Sequence, residues 1–350
     1  MSQSKEEQLD SAVFRGELEK VKSQCSDPAL NVNWQYEGGF TPLSGACQEG
    51  HVGVVEYLLS LKEIDPDRPA DDGATPFFMA CANGHREVVF LLLADPRIDP
   101  NKPHNIGATP LFMACQNGHK EVVSLLLEDP RSGPNKPRDT GATPFFIACE
   151  KGHKEVVLLL LADPRIDPNK QTYNQTTPLW FASENGRLVI VQHLLASGKE
   201  IDTKMRSSFN NKTAPEQGRG MGTAAKGADE TEEAYERSKT NGPLCADLID
   251  EYERDPVAVR NRLRRLPGLR EYFIGHLFAL VVFHSDSFVV VNERPAHSDT
   301  KRFFRLCARL PLEVQMMICN RVFGSPKDII LSRDSEPGFQ LLTRITTWQQ

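Results

Sequence analysis

No Cys-x-x-Cys pair occurs among the eight cysteines of this 350-residue chain. That argues against a disulfide-stapled secreted fold and a zinc ribbon, and reduced thiols inside the cell are expected. Long apolar runs are missing as well: the longest, residues 272–283, is broken by a glycine and a histidine and falls short of the roughly 20 residues that cross a bilayer. No membrane span is expected. The opening Met-Ser-Gln-Ser-Lys-Glu-Glu-Gln has neither an apolar signal core nor an arginine-rich amphipathic stretch, which predicts a cytoplasmic location with the nucleus as the alternative. Positive charge is not in excess, since 41 basic and 47 acidic side chains leave a formal net charge of −6, and such a chain repels a phosphate backbone. No nucleic-acid partner is expected. The local signatures of hydrolases, zinc peptidases and kinases are absent, so the chain is expected to be non-enzymatic, with no cofactor and no metal.

What is present is a repeat. Thr-Pro recurs with its proline at Pro42, Pro76, Pro110, Pro144 and Pro178, a constant step of 34 residues, and glycine recurs in phase at Gly50, Gly84, Gly118, Gly152 and Gly186. One step back from Gly50 lies Gly16, inside an atypical first unit that keeps Leu9, Val13, Leu18 and Val21 but lacks Thr-Pro. Each full unit reads as two short helices. Proline suits the first helical position and the threonine before it can cap, so Thr75-Pro76 starts one helix. Gly84 ends it, where a left-handed residue is wanted. Val88, Val89, Leu92 and Leu93 then share one face of a second helix, which stops before Asp95-Pro96. The remainder, up to Gly107, is turn chemistry that suits a projecting hairpin or loop.

Residues 107–127, reading Gly-Ala-Thr-Pro-Leu-Phe-Met-Ala-Cys-Gln-Asn-Gly-His-Lys-Glu-Val-Val-Ser-Leu-Leu-Leu, resemble the ankyrin repeat, and the resemblance covers residues 8–203. It implies a mainly α fold, a solenoid of helix-turn-helix units with β-hairpin loops in which each unit buries its apolar face only against its neighbours. On this reading residues 1–203 are the solenoid, with an atypical first unit at 8–36 and five full units from 37. The family's usual period is one residue shorter, which places an extra residue in the Asp-Pro-x-x-Asp-Pro loop. Where the family usually has a histidine two places after the proline, this chain has Ser44 and then an aromatic row, Phe78, Phe112, Phe146 and Trp180. The row either packs between repeats or forms an exposed binding strip. In the fifth full unit Gln175 replaces the hairpin glycine and Arg187 the histidine of the other Gly-His pairs, a drift toward a terminal cap or junction.

Some patterns imitate chemistry. Cys47, Cys81, Cys115 and Cys149 also step by 34 residues, yet equivalent positions on stacked helices lie roughly 8–10 Å apart, too far for a disulfide or a shared zinc ion. They read as small core residues. His51, His85, His119 and His153 follow the same step and read as polar contacts at the helix turns. Gly-Arg-Gly-Met-Gly at 218–222 lacks the Gly-Lys-Ser/Thr and the preceding strand of a phosphate loop.

Residues 204–243, rich in small and charged side chains, read as a linker, with a degenerate seventh unit as the alternative because Gly220 falls in phase. Residues 244–350 read as a small helical domain, with helices expected at 256–266, 270–283, 300–309, 312–322 and 339–347. This part resembles C-terminal segments attached to ankyrin repeats in fungal and other microbial eukaryote proteins. The basic run at 260–265 reads as a solvated face or an acidic docking surface. Residues 303–323 read either as part of a proline-started core helix or as an F-box-like or SOCS-like segment, which would make the protein a ubiquitin-ligase substrate adaptor.

The expected function is that of a scaffold or interaction module binding another protein through the concave face and the hairpin tips. In the resembled family the contacts come from residues around the hairpin glycine, here Asp71, Asp72 and Ala74, Asn105, Ile106 and Ala108, and Asp139, Thr140 and Ala142. They also come from the two residues before each Gly-His or its equivalent: Gln48 and Glu49, Ala82 and Asn83, Gln116 and Asn117, Glu150 and Lys151, and Glu184 and Asn185. These positions differ between near-identical units, so packing leaves them free to carry specificity.

Overall fold

The computed structural model describes residues 4–224, 226, 230–267 and 269, and none of these is in a strand. They form two compact units. The first runs to Leu160 and adds Arg165–Ala182 and Met205–Thr213; the second holds Leu161–Pro164, Ser183–Lys204 and the described residues from Ala214 on.

In the first unit helices come in pairs: α1 (Lys5–Phe14) with α2 (Leu18–Cys25), α3 (Pro42–Glu49) with α4 (Val52–Ser60), α5 (Pro76–Asn83) with α6 (Arg86–Leu93), α7 (Pro110–Asn117) with α8 (Lys120–Glu128), then α9 (Pro144–Lys151), α10 (Lys154–Ala162) and α11 (Pro178–Glu184). The threonine hydroxyl of each Thr-Pro accepts the backbone N–H three residues on, as Thr75 does from Phe78 at 3.1 Å and Thr109 from Phe112 at 3.2 Å. That satisfies a donor with no partner inside the helix. The first helices α1, α3, α5, α7 and α9 lie side by side, and α2, α4, α6 and α8 form a second row. Between them sit Phe77, Leu111 and Phe145 with Val88, Val89, Leu92, Val122, Val123 and Leu126, all buried. Each fully buried aliphatic or aromatic side chain contributes about 1.5–3 kcal/mol, but only while the neighbouring pair is in place.

Two polar clamps hold the pairs in register. The first comes from the histidines, which reach back 37 residues: His51 Nε2 donates to the Phe14 carbonyl at 3.0 Å, His85 to Gln48 at 2.7 Å, His119 to Ala82 at 2.9 Å and His153 to Gln116 at 2.8 Å. A carbonyl only accepts, so Nε2 carries the proton in each. The imidazole lies against the C-cap glycine of the preceding unit. A Cβ on Gly50, already at φ 76°, would come within 2.5 Å of His85 Nδ1.

The second clamp is the arginine of Asp-Pro-Arg, in the loop expected to hold the extra residue. Arg97 donates to the carbonyl of Leu59 at 3.3 Å, Arg131 to Leu93 at 2.8 Å and Arg165 to Leu127 at 2.8 Å. Each places a cation on the C-terminal turn of the preceding unit's second helix, where the macrodipole is negative. Asp95 holds Arg97 in place through a 2.6 Å contact.

The loop tips are turns rather than β-hairpin ladders. Ala70 N–H donates to the Ala74 carbonyl at 2.9 Å and Gly73 N–H to Ala70 at 2.9 Å, and the pattern repeats at His104–Ala108 and Arg138–Ala142. Two bonds closing a single turn per unit are too few for extended strands. Gln175, standing in the glycine phase, adopts φ 56°, so the turn imposes its left-handed backbone on a residue that resists it.

The second unit contains α12 (Leu188–Ala196), α13 (Ala214–Met221), α14 (Glu232–Arg254) and α15 (Pro256–Leu263). The stretch 204–243, expected as a linker, thus holds α13 and the first half of α14. The Gly-Arg-Gly-Met-Gly stretch lies on α13 and the turn after it, not in a phosphate-cradling loop. The small residues that suggested a linker let two helices cross closely: a Cβ on Gly218 would come within 2.6 Å of the Gly242 carbonyl oxygen. α15 begins where expected, and Arg264 Nε donates to the Ala196 carbonyl at 2.9 Å. The further helices expected from 270 onward and the adaptor-like segment 303–323 lie outside the described residues.

Two substitutions should move stability in opposite directions. Gly84→Ala strains a left-handed C-cap and collides with His119, and should lower unfolding stability by about 1–3 kcal/mol. Gln175→Gly should raise it by less than about 1 kcal/mol. Midpoints and slopes of urea unfolding check both. A third prediction concerns acid. Hydrogen bonds from Arg97 hold the Asp95 carboxyl below its ordinary range against the opposing effect of burial. A depressed carboxyl stabilises the fold above about pH 4 and loses that contribution as pH falls. The unfolding free energy of Asp95→Asn should therefore lie below that of the parent at pH 7, by about 1 kcal/mol or less, and the gap should close between pH 4 and pH 2.

Candidate functional site

Each tip is fastened to the one before it by backbone. Asp71 N–H donates to the Gly38 carbonyl at 2.9 Å, Asn105 to Asp72 at 2.8 Å, Asp139 to Ile106 at 3.2 Å and Tyr173 to Thr140 at 3.1 Å. The series goes one step further, to Ser208 N–H on the Asn174 carbonyl at 2.9 Å. The side chains of Asp71, Asp72, Asn105, Ile106, Asp139 and Thr140 are exposed on this row, so a fixed backbone presents a variable set of polar groups and one apolar group.

The other positions fare differently. Ala74, Ala108 and Ala142 are buried; they follow the turn and face the core, so they offer no side chain to a partner. At the helix ends Asn83, Asn117 and Lys151 are exposed, while Gln48, Glu49, Ala82, Gln116 and Glu150 are half-buried. Asn117 donates to the Ala82 carbonyl at 2.7 Å, and Lys151 pairs with Glu150 at 3.1 Å. Glu184 and Asn185 belong to the second unit and are already engaged there. Gln217 donates to the Glu184 carboxylate at 2.9 Å and Arg237 to the Asn185 carbonyl at 3.2 Å.

The aromatic row is packing, not an exposed strip. Phe78, Phe112, Phe146 and Trp180 are 6%, 1%, 3% and 3% exposed. The next tip covers Phe78 and Phe112, and a ring of α11 covers Phe146. His104 stacks on Phe78 with centroids 5.4 Å apart, the Arg138 guanidinium lies 5.4 Å over Phe112, Phe181 meets Phe146 edge-on at 5.0 Å, and Trp180 Nε1 donates to the Lys212 carbonyl at 3.0 Å. His104 also approaches Asp72 at 3.4 Å. His104 and Arg138 are thus part of the presented surface, and the expected set omitted them. They share one phase and differ from unit to unit, which is the signal that could have found them.

The in-phase cysteines Cys47, Cys81, Cys115 and Cys149 are fully buried, and burial pushes every thiol up, away from the reactive thiolate. Among the described residues no group of three His, Cys, Asp or Glu side chains could hold a metal ion, and no helix is long and apolar enough to cross a membrane. The arrangement is a row of presented side chains on a stiff support.

Comparison with known proteins agrees with this architecture. The family model described as ankyrin repeats matches in three copies, at residues 9–104, 97–172 and 132–205. No curated protein sequence matches the chain significantly. Among solved structures, the chain is similar to the crystal structure of the ankyrin repeat domain of Bcl-3, described as a unique member of the IkappaB protein family. The likeness has a TM-score of 0.53 and 25% identity, and covers 60% of this chain and 92% of that one. With the matched copies spanning more than half of its residues, and with the Thr-Pro caps, Gly-His clamps and tip ladder described above, the chain belongs to the ankyrin-repeat family.

Proposed function

We propose that the protein is a non-enzymatic interaction module that binds another protein through the row of tips in its first unit, with Asp71, Asp72, Asn105, Ile106, Asp139 and Thr140 as the reading residues. Asn83, Asn117 and Lys151 extend the surface along the helix ends, and His104 and Arg138 join it from the tips. The observation that carries this reading is the tip ladder. It supplies rigidity before binding, so little ordering entropy remains to be lost when a partner docks. The exposed set is chiefly polar, which favours electrostatic selection of a partner, with Ile106, 50% exposed, as an apolar anchor.

The test is proximity labelling in cells with the parent chain and with a variant carrying Asp71→Ala, Asp72→Ala, Asp139→Ala and Thr140→Ala. Loss of a defined subset of labelled proteins, with unchanged abundance of the chain, is the expected result. An identical labelled set would reject this face.

A further inference from the structure

The 34-residue register that pairs Phe78 with His104 and Phe112 with Arg138 pairs Asp10 with Tyr36 in the first repeat. A carboxylate therefore stands where three units carry phenylalanine, one tryptophan and one Ser44. The ring that would fill the space is missing, and a groove of about 820 Å³ opens there, lined among others by Asp10, Trp34, Tyr36, Glu7, Glu37 and Phe14. The Trp34 and Tyr36 rings form one wall, with centroids 6.1 Å apart. Asp10 Oδ1 is buried and has no hydrogen-bond partner. Burial raises the Asp10 carboxyl above its ordinary range, and the Tyr36 hydroxyl is pushed up to about 12 by its own burial and by Asp10 and Glu49 nearby. Arg15 also lines the groove, but its guanidinium reaches toward Glu17 at 3.9 Å.

We propose that this groove takes the lysine or arginine side chain of a basic peptide, its N–H groups donating to Asp10 Oδ1 and its stem lying along Trp34 and Tyr36. A cation answers every feature at once. It satisfies a buried acceptor that otherwise lacks a donor, it meets the faces of two aromatic rings, and it offsets the surplus of carboxylates. That surplus extends beyond the groove, because residues 1–100 hold 8 basic and 17 acidic side chains whereas residues 101–205 hold 12 and 11. A neutral donor would satisfy the Asp10 oxygen but leave the surplus of negative charge, and an anion would add to it. The proposal goes beyond the tip surface, and its residues are not those of the labelling experiment, so the two stand or fall separately.

The probe is a fluorescein-labelled nona-arginine peptide, titrated against the full chain by fluorescence anisotropy in low salt. Asp10→Asn should weaken binding by about fivefold or more. Asp10→Phe, which restores the side chain the register calls for and fills the groove, should weaken it further. Glu56→Gln removes the same charge at an exposed position on α4 and should bind within about twofold of the parent. Unlabelled peptide should shift Trp34 emission in the parent chain, read against the Trp34→Phe variant. Equal affinities for Asp10→Asn and Glu56→Gln would reduce the attraction to net charge and overturn the proposal, as would a Trp34 signal that does not respond. If Asp10→Phe loses its helical circular dichroism, the Asp10→Asn and Trp34 measurements decide the question.

Discussion

The first unit depends on one contact, an imidazole N–H given by each repeat to the helix-end carbonyl of the repeat before it. The Gly-His dipeptide works in two directions at once. Its glycine receives the ring of the following unit, and its histidine reaches back to the preceding one. Gly84 therefore answers two demands: its φ of 79° belongs to a left-handed C-cap, and His119 occupies the space a side chain would need. Coupling built this way extends only to nearest neighbours, which makes the stack one-dimensional in its energetics. No pair of eight- or nine-residue helices could hold its shape alone.

The second helices are tied by a different group to the same end. Arg97, Arg131 and Arg165 each cap a helix in the preceding unit with a fixed positive charge, and a fork of five donors suits a cluster of free carbonyls better than an ammonium would. The second unit uses the same chemistry without the repeat. There Arg264 gives its N–H to Ala196 at the end of α12. The backbone of Arg237 and Ser238 lies against Gly186, the position that a histidine ring takes elsewhere. The period has ended but the free carbonyls and the bare glycine still need partners, so side chains and backbone from other elements fill the same roles. Met221 stands where a histidine clamp on Gly186 would fall, and the backbone of α14 occupies that place instead.

How much was legible in the sequence follows from which interactions are local. Thr-Pro caps, Gly C-caps, the apolar faces of the second helices and the inertness of the spaced cysteines depend on neighbours within a turn or on a constant step, and all of them read directly. The covering of Phe78 by His104 and of Phe112 by Arg138 was not legible, because it depends on how far one side chain reaches across a tip. For 204–243 the sequence left a linker and a degenerate seventh unit both open, for a physical reason: close helix crossing and linker flexibility both favour small residues, and composition alone does not separate Gly218 against Gly242 from a flexible tether. Ala74, Ala108 and Ala142 fell within the family's contact pattern although their methyl groups face inward. A contact pattern counted along the chain marks a stretch of backbone, whereas a partner meets only the side chains that point outward from it. Glu184 and Asn185 illustrate the complementary case: they share the phase of the other helix-end pairs, but Gln217 and Arg237 already engage them.

A repeat makes its departures informative, because every position has siblings that show what packing alone demands. Asp10 at the phase of Phe78, Phe112, Phe146 and Trp180 is one such departure. Packing would favour a ring there, since a carboxylate oxygen buried without a donor costs about 1–3 kcal/mol relative to a satisfied one. Physics says what relieves such a residue: a donor, preferably charged, arriving from outside through an opening of the right size. The asymmetry of charge bears on the same point over a longer range. Clustered carboxylates in the first 100 residues create a field that reaches about 8–10 Å beyond the surface at physiological salt.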